Sequence, residues 1–127
     1  MSGIINISKL KIPPDKHELE TARYFAELGY DIEFIPPNYT PKMHTPDIVM
    51  DGVAWEIKSP IGRGKRTIEL SLRQAVKQSH NIIFDLRRAN LPESACLTQL
   101  EKQFQLKSYI KRLYIIKRNG ELIKLSR

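Results

Sequence analysis

Apolar positions recur at a helical period between Asp15 and Gly29, where Leu19, Ala22, Phe25 and Ala26 form one stripe and Glu20 and Glu27 point the opposite way. Pro14-Asp15 opens this helix, Glu18 and Glu20 suit its positive end, and Gly29 supplies its stop. At about 100° per residue Glu18 falls inside the stripe, beside Ala22 and Phe25, so one carboxylate faces inward. From Tyr30 the period changes to two. YDIEFI alternates as a half-buried strand and ends at Pro36-Pro37, a loop NYTPKMHT follows, and PDIVMDGVAWEIKS reads as strand, Asp51-Gly52 turn, strand. In the second of these strands Val53, Trp55 and Ile57 share one face and Ala54, Glu56 and Lys58 the other. A tight turn sets Asp47 across the ladder from the Glu56 to Lys58 end.

The remaining pattern is quickly read. Ile4, Ile5, Ile7, Leu10 and Ile12 lack a clear period and suit a short edge strand or an arm packed on the core. A basic loop, SPIGRGKRT, leads to a helix over Ile68–Ser79 with Ile68, Leu72, Ala75 and Val76 on one stripe and Gln78 on its flank. Ile82–Leu86 is too short and too apolar for a solvated helix and is predicted as an inner strand. Leu91-Pro92 starts a helix to about Leu106, with Cys96, Leu97, Leu100 and Phe104 at core spacing. RLYIIKRNGELIKLS predicts a hairpin with a type I′ turn at Asn119-Gly120. The order α-β-β-β-α-β-α-β-β implies a single domain over residues 1–127 of the α/β (α+β) class, a mixed central sheet flanked by helices.

Composition narrows the setting. A chain of 127 residues, 41% hydrophobic and 28% charged, is long enough to bury one core. One cysteine, Cys96, excludes an intramolecular disulfide and a Cys-based zinc cluster. No apolar run approaches the roughly 18 residues of a span, and no basic-then-apolar leader precedes a cleavage site, so neither a membrane span nor a signal peptide is expected. Charge is unevenly placed: residues 1–57 hold 5 basic and 9 acidic side chains (net −4), residues 58–127 hold 16 and 5 (net +11). A polyanion is the natural partner of the second half.

The candidate chemistry is Asp47, Glu56 and Lys58, spaced PD-x8-E-x-K. Carboxylates on neighbouring strands suit a hard cation such as Mg²⁺, held by Asp47 and Glu56, while Lys58 is placed to position a water or stabilise a charged transition state. Inward-facing Glu18 adds a carboxylate, and Gln78 is a candidate for orienting the attacking group. Arg63, Lys65 and Arg66 on the glycine-containing loop, with Lys111 and Arg112 before the terminal hairpin, are candidates for phosphate contacts. Trp55 reads as core, and Tyr109 and Tyr114 as core or rim packing.

TPDIVMDGVAWEIKSP followed by IELSLRQAVKQSHNIIFDL resembles the PD-(D/E)XK nuclease pattern across residues 15–86, including the helix carboxylate and the glutamine after the catalytic hairpin. WEIKSP, the basic loop, KQS-NIIFDLRR and the basic terminal hairpin are similar to the C-terminal tRNA-cleaving toxin domain of CdiA-type contact-dependent inhibition proteins. That second resemblance implies RNA cleavage, tRNA as the typical substrate, and an acidic immunity protein as partner. Action in the cytoplasm is expected, by a delivered domain or, as an alternative to that resemblance, by a stand-alone or mobile-element nuclease. Two alternatives accompany the metal-dependent reading. One is a metal-free tRNase of the barnase/EndoU/colicin/RelE kind drawing on Glu56, Lys58, Arg63 and His80. The other is a nucleic-acid-binding module in which Glu56 and Lys58 are inert.

Overall fold

The computed structural model describes residues 2–37 and 44–127; most of the loop expected at residues 38–45 lies outside them. The elements run β1 (Ile5–Asn6), α1 (Lys16–Glu27), β2 (Ile32–Phe34), β3 (Ile48–Met50), β4 (Val53–Lys58), α2 (Thr67–Ala75), β5 (Asn81–Asp85), α3 (Glu93–Leu106), β6 (Arg112–Ile116) and β7 (Leu122–Ser126). The seven strands form one sheet in the order β1 to β7. The β1·β2, β4·β5 and β5·β6 pairs are parallel and the others antiparallel, so the sheet is mixed as expected. The apolar start of the chain becomes the edge strand β1. Gly3 approaches the Tyr30 carbonyl so closely that a Cβ would sit 1.9 Å from its oxygen, which admits no larger residue.

A core lies on each face. One carries Ala22 and Phe25 of α1 against Ile32, Phe34, Ile48, Met50, Trp55, Ile57 and Ile83. The other packs Ile68 and Leu72 of α2 and Cys96 and Leu100 of α3 on Ile82, Phe84, Leu113 and Ile115. Strand alternation makes this division: in β5, Ile83 faces α1 while Ile82 and Phe84 face α2 and α3. Asp15 caps α1, its Oδ1 accepting from the His17 and Glu18 amides at 2.8 and 3.4 Å, and Gly29 (φ 101°) ends the turn that follows.

The type I′ geometry expected at Asn119-Gly120 is found instead at Asp51-Gly52. Asp51 (φ 55°) and Gly52 (φ 73°) both take the left-handed conformation of a type I′ turn. At the terminal hairpin only Gly120 does (φ 89°); Gly120 N–H bonds the Lys117 carbonyl at 3.0 Å, and Lys117 N–H bonds the Glu121 carbonyl at 2.8 Å. That is a type I turn followed by a glycine bulge, and Asn119 Oδ1 supports it by accepting from the Glu121 amide at 3.0 Å. The α2 helix is also shorter than its periodicity predicts. After Ala75 the chain tightens, with Lys77 N–H on the Gln74 carbonyl and Gln78 N–H on the Ala75 carbonyl, so Gln78 leaves the helical path.

Candidate active site

The tight Asp51-Gly52 turn fixes the register Ile48↔Trp55, which sets Asp47 opposite Glu56. Asp47 N–H bonds the Trp55 carbonyl at 2.9 Å, and its Oδ2 accepts from the Ile57 amide at 2.8 Å. Trp55 turns to the α1 core, as alternation requires, and donates its indole N–H to the Met50 carbonyl at 2.9 Å. Glu56 is therefore held on the other face, only 6% exposed, next to Asp47 and with Lys58 Nζ 3.6 Å from its Oε2. Its Oε1 is buried without a hydrogen-bond partner.

Two carboxyl groups so close in a desolvated site cannot both ionise freely. Burial, then the Asp47 charge and a hydrogen bond to Asp47, push the Glu56 carboxyl up to about 9 against the pull of Lys58. Burial also raises Asp47, opposed by the Ile57 amide, the proton shared from Glu56 and the Lys58 ammonium. Glu18, on the first turn of α1, joins them: burial, then Asp47 and Asp15, push it up to about 7. Asp47 and Glu18 line a cavity of about 570 Å³ whose wall also carries Gln78, and Gln78 Oε1 is buried and unpartnered as well.

These residues fit a hard cation. Mg²⁺ is bound through one or two carboxylates with the remaining positions left to water and substrate. Asp47 and Glu56 supply that set, and the orphaned Glu56 Oε1 is a free donor within it. Among the described residues no group of three or more His, Cys, Asp or Glu side chains is arranged as an all-protein metal cage.

The other predicted residues divide. Arg63, Lys65 and Arg66 lie exposed on the loop that leaves β4 directly after Lys58, and Arg66 is tied to Glu69 at 3.2 Å. Lys111 and Arg112 stand two strands from β4, in the row of His80 and Asn81, three residues short of the row containing Lys58 and Phe84; Arg112 donates to Asn81 Oδ1 at 3.0 Å. His80 precedes β5 with its ring 6.2 Å from Tyr109, outside the cavity lining. Tyr114 packs 4.5 Å from Trp55 against the α1 core.

Residues 44–122 match the family described as the contact-dependent growth inhibition CdiA C-terminal domain. The chain belongs to that family. The matched span of this CdiA C-terminal domain holds Asp47, Glu56, Lys58, the basic loop and Gln78, whereas α1 with Glu18 precedes it. Among solved structures the domain is similar to one described as a CdiA-CT/CdiI toxin and immunity complex from Burkholderia pseudomallei. The identity is 20%, the TM-score 0.67, and the match covers 98% of this chain and 100% of the other. At that identity the likeness establishes the fold. Curated protein sequences yield no match.

Sequence reading missed a second buried carboxylate. Asp85, at the end of β5, is 3% exposed, accepts from Thr21 Oγ1 at 2.7 Å, and is gripped by Arg87 through Nε at 2.9 Å and a second guanidinium nitrogen at 2.7 Å. Burial pushes Asp85 up, but the hydrogen bonds from Arg87 and Thr21 outweigh it and hold the carboxyl below its ordinary value. The signal available was a carboxylate closing an apolar strand and followed by two arginines. Arg88 likewise reaches back to β4's exit, donating from Nε to Ser59 Oγ at 2.9 Å.

Proposed function

We propose that this CdiA C-terminal domain is an endonuclease toxin of the PD-(D/E)XK kind, cleaving RNA phosphodiester bonds with tRNA as the favoured substrate. The observation that carries the reading is the frustrated carboxylate pair Asp47–Glu56, with Lys58 beside Glu56 and with Asp47 on the wall of a cavity. Asp47 and Glu56 would hold Mg²⁺, which would supply positive charge against the scissile phosphate and so offset the charge that develops there. In hydrolysis a water oxygen forms the new bond to phosphorus as the bridging P–O bond breaks, the attacking water gives its proton to bulk water, and the leaving oxygen takes one from bulk water. Lys58 Nζ holds the attacking water and faces the developing negative charge. Glu18 contributes the third carboxylate of the site, and the Gln78 amide orients the attacking group. Arg63, Lys65 and Arg66 grip the phosphates that flank the cut.

His80 lies four residues before Phe84, the strand partner of Lys58, with its ring beside Tyr109, and that separation from Lys58 weighs against the metal-free set that would use it as an acid or base. The solved relative is described as a toxin with its immunity protein. For this chain we extend that to an acidic immunity partner covering the basic loop, and to delivery into the cytoplasm of a target cell. Among the described residues no helix is long and apolar enough to cross a membrane.

The deciding experiment incubates the purified protein with total tRNA and with plasmid DNA, each in Mg²⁺ and in EDTA, beside Lys58→Ala. Cleavage of tRNA that requires both Mg²⁺ and Lys58 is expected. Cleavage of tRNA in EDTA would remove the metal role of Asp47 and Glu56, cleavage of plasmid alone would overturn the RNA assignment, and identical behaviour of Lys58→Ala would overturn the catalytic one.

A further inference from the structure

The cavity that reaches Asp47 and Glu18 extends well beyond them. Its far wall is the segment leading into α1, with Leu10, Ile12 and Pro13, and its opposite wall is the end of β2, with Phe34, Pro36 and Pro37. Lys9 and Lys11 stand on the lining too, and Lys9 is anchored to Glu33 at 3.0 Å. Apolar walls, two lysines, the carboxylates of Asp15, Glu18 and Asp47, and one amide oxygen, on Gln78, unpartnered among the described residues, share the lining. The combination of apolar faces with a few hydrogen-bonding groups suits a small organic ring, and about 570 Å³ lies within the range that small-molecule pockets span. Proline rings and branched aliphatics give a base a face to lie on, and an amide oxygen reads an exocyclic amino group.

Resting on the nuclease reading above, we infer that this cleft seats the splayed, unpaired base of the nucleotide adjoining the scissile phosphate, with Gln78 Oε1 accepting from the base edge and Lys11 facing the next phosphate. The cleft thus selects where the chain is cut: a duplexed nucleotide cannot enter, and an unstacked one in a loop or at an end can. Most of its apolar wall comes from residues before His44, outside the span matched to the family.

The test needs no cleavage. Single-stranded oligoribonucleotides carrying 2-aminopurine at each position in turn are mixed, in EDTA, with the protein in a Lys58→Ala background, because 2-aminopurine brightens when it leaves the stack. A several-fold rise at one position is expected. Ile12→Glu, at a side chain 68% exposed and so free of the core, should abolish that rise, whereas Leu106→Glu, 67% exposed on α3, changes net charge equally and should leave it intact. No brightening at any position, or equal responses from the two glutamate variants, would overturn the inference. The two readings fail separately. Brightening without tRNA cleavage by the Lys58 protein would sink the nuclease alone, and unchanged cleavage rate and cut sites in Ile12→Glu would sink the cleft alone.

Discussion

Two buried carboxylate sites hang on successive turns of one helix and behave oppositely. At Thr21, α1 meets Asp85, whose oxygens are taken by a bidentate guanidinium and a hydroxyl, and whose pKa falls. One turn earlier, at Glu18, the same helix meets Asp47 and Glu56, where burial exceeds the available partners and every carboxyl rises. A satisfied buried charge is architecture: Arg87 also donates to the Glu20 carbonyl at 3.3 Å and lies 5.1 Å over the Tyr24 ring, pinning α1 to the sheet. An unsatisfied one is a candidate site, and here it stands one helical turn from the satisfied one.

The contrast can be broken from either side. Asp85→Ala leaves Thr21 without its buried acceptor and frees the exposed Arg87 to water, and should cost about 1–3 kcal/mol in urea unfolding, with tRNA cleavage by the remaining folded protein reduced only as far as α1 shifts. Lys58→Ala should do the reverse, lowering the cleavage rate by about 10²–10³-fold with a Tm near that of the parent. A stability loss in Lys58→Ala as large as that in Asp85→Ala would erase the distinction.

Smaller effects sharpen it through pH. Glu56 keeps its proton in the fold to about 9 but ionises when unfolded near 4.5, so it contributes nothing at pH 4 and erodes stability as pH rises between those values. Asp85, lowered in the fold, stabilises above 3.8, and that contribution is lost as pH falls through its folded value. Glu56→Gln, lacking the titration, should therefore be more stable than the parent at pH 8 by at least about 1 kcal/mol, a few degrees in Tm, while losing cleavage. Mg²⁺ at about ten times its Kd should stabilise the parent by about 1.4 kcal/mol and leave the Tm of Glu56→Gln unmoved. Smallest of all, Arg63→Ala should leave stability within about 0.5 kcal/mol and reduce the salt slope of RNA binding by about 0.7–0.9.

What was legible in the sequence follows from range. The hairpin register is written in a two-residue turn, so Asp47, Glu56, Lys58 and the burial of Trp55 could all be placed from local spacing. Glu18 followed from helical period alone. Lys111 and Arg112 could not be positioned that way, because their distance from β4 depends on how many strands intervene. The Thr21–Asp85 contact joins residues 64 apart, and the cleft brings the first residues of the chain against the end of β2; neither has a periodic signature. The glycine bulge at Gly120 escaped for a subtler reason, since Asn-Gly serves both turn types and loop length decides between them.

The sheet's spatial order repeats its order along the chain, β1 through β7. Only part of that pairing is local: the β1·β2, β4·β5 and β5·β6 pairs are parallel and close long crossovers, the slower kind of pairing, whereas β3·β4 and β6·β7 are joined by tight turns. The β3–β4 hairpin brings Asp47, Glu56 and Lys58 together through one of these local pairings. Glu18 and the cleft wall reach them only through α1 and the segment before it, so the candidate site is complete only where a local hairpin and a distant helix meet.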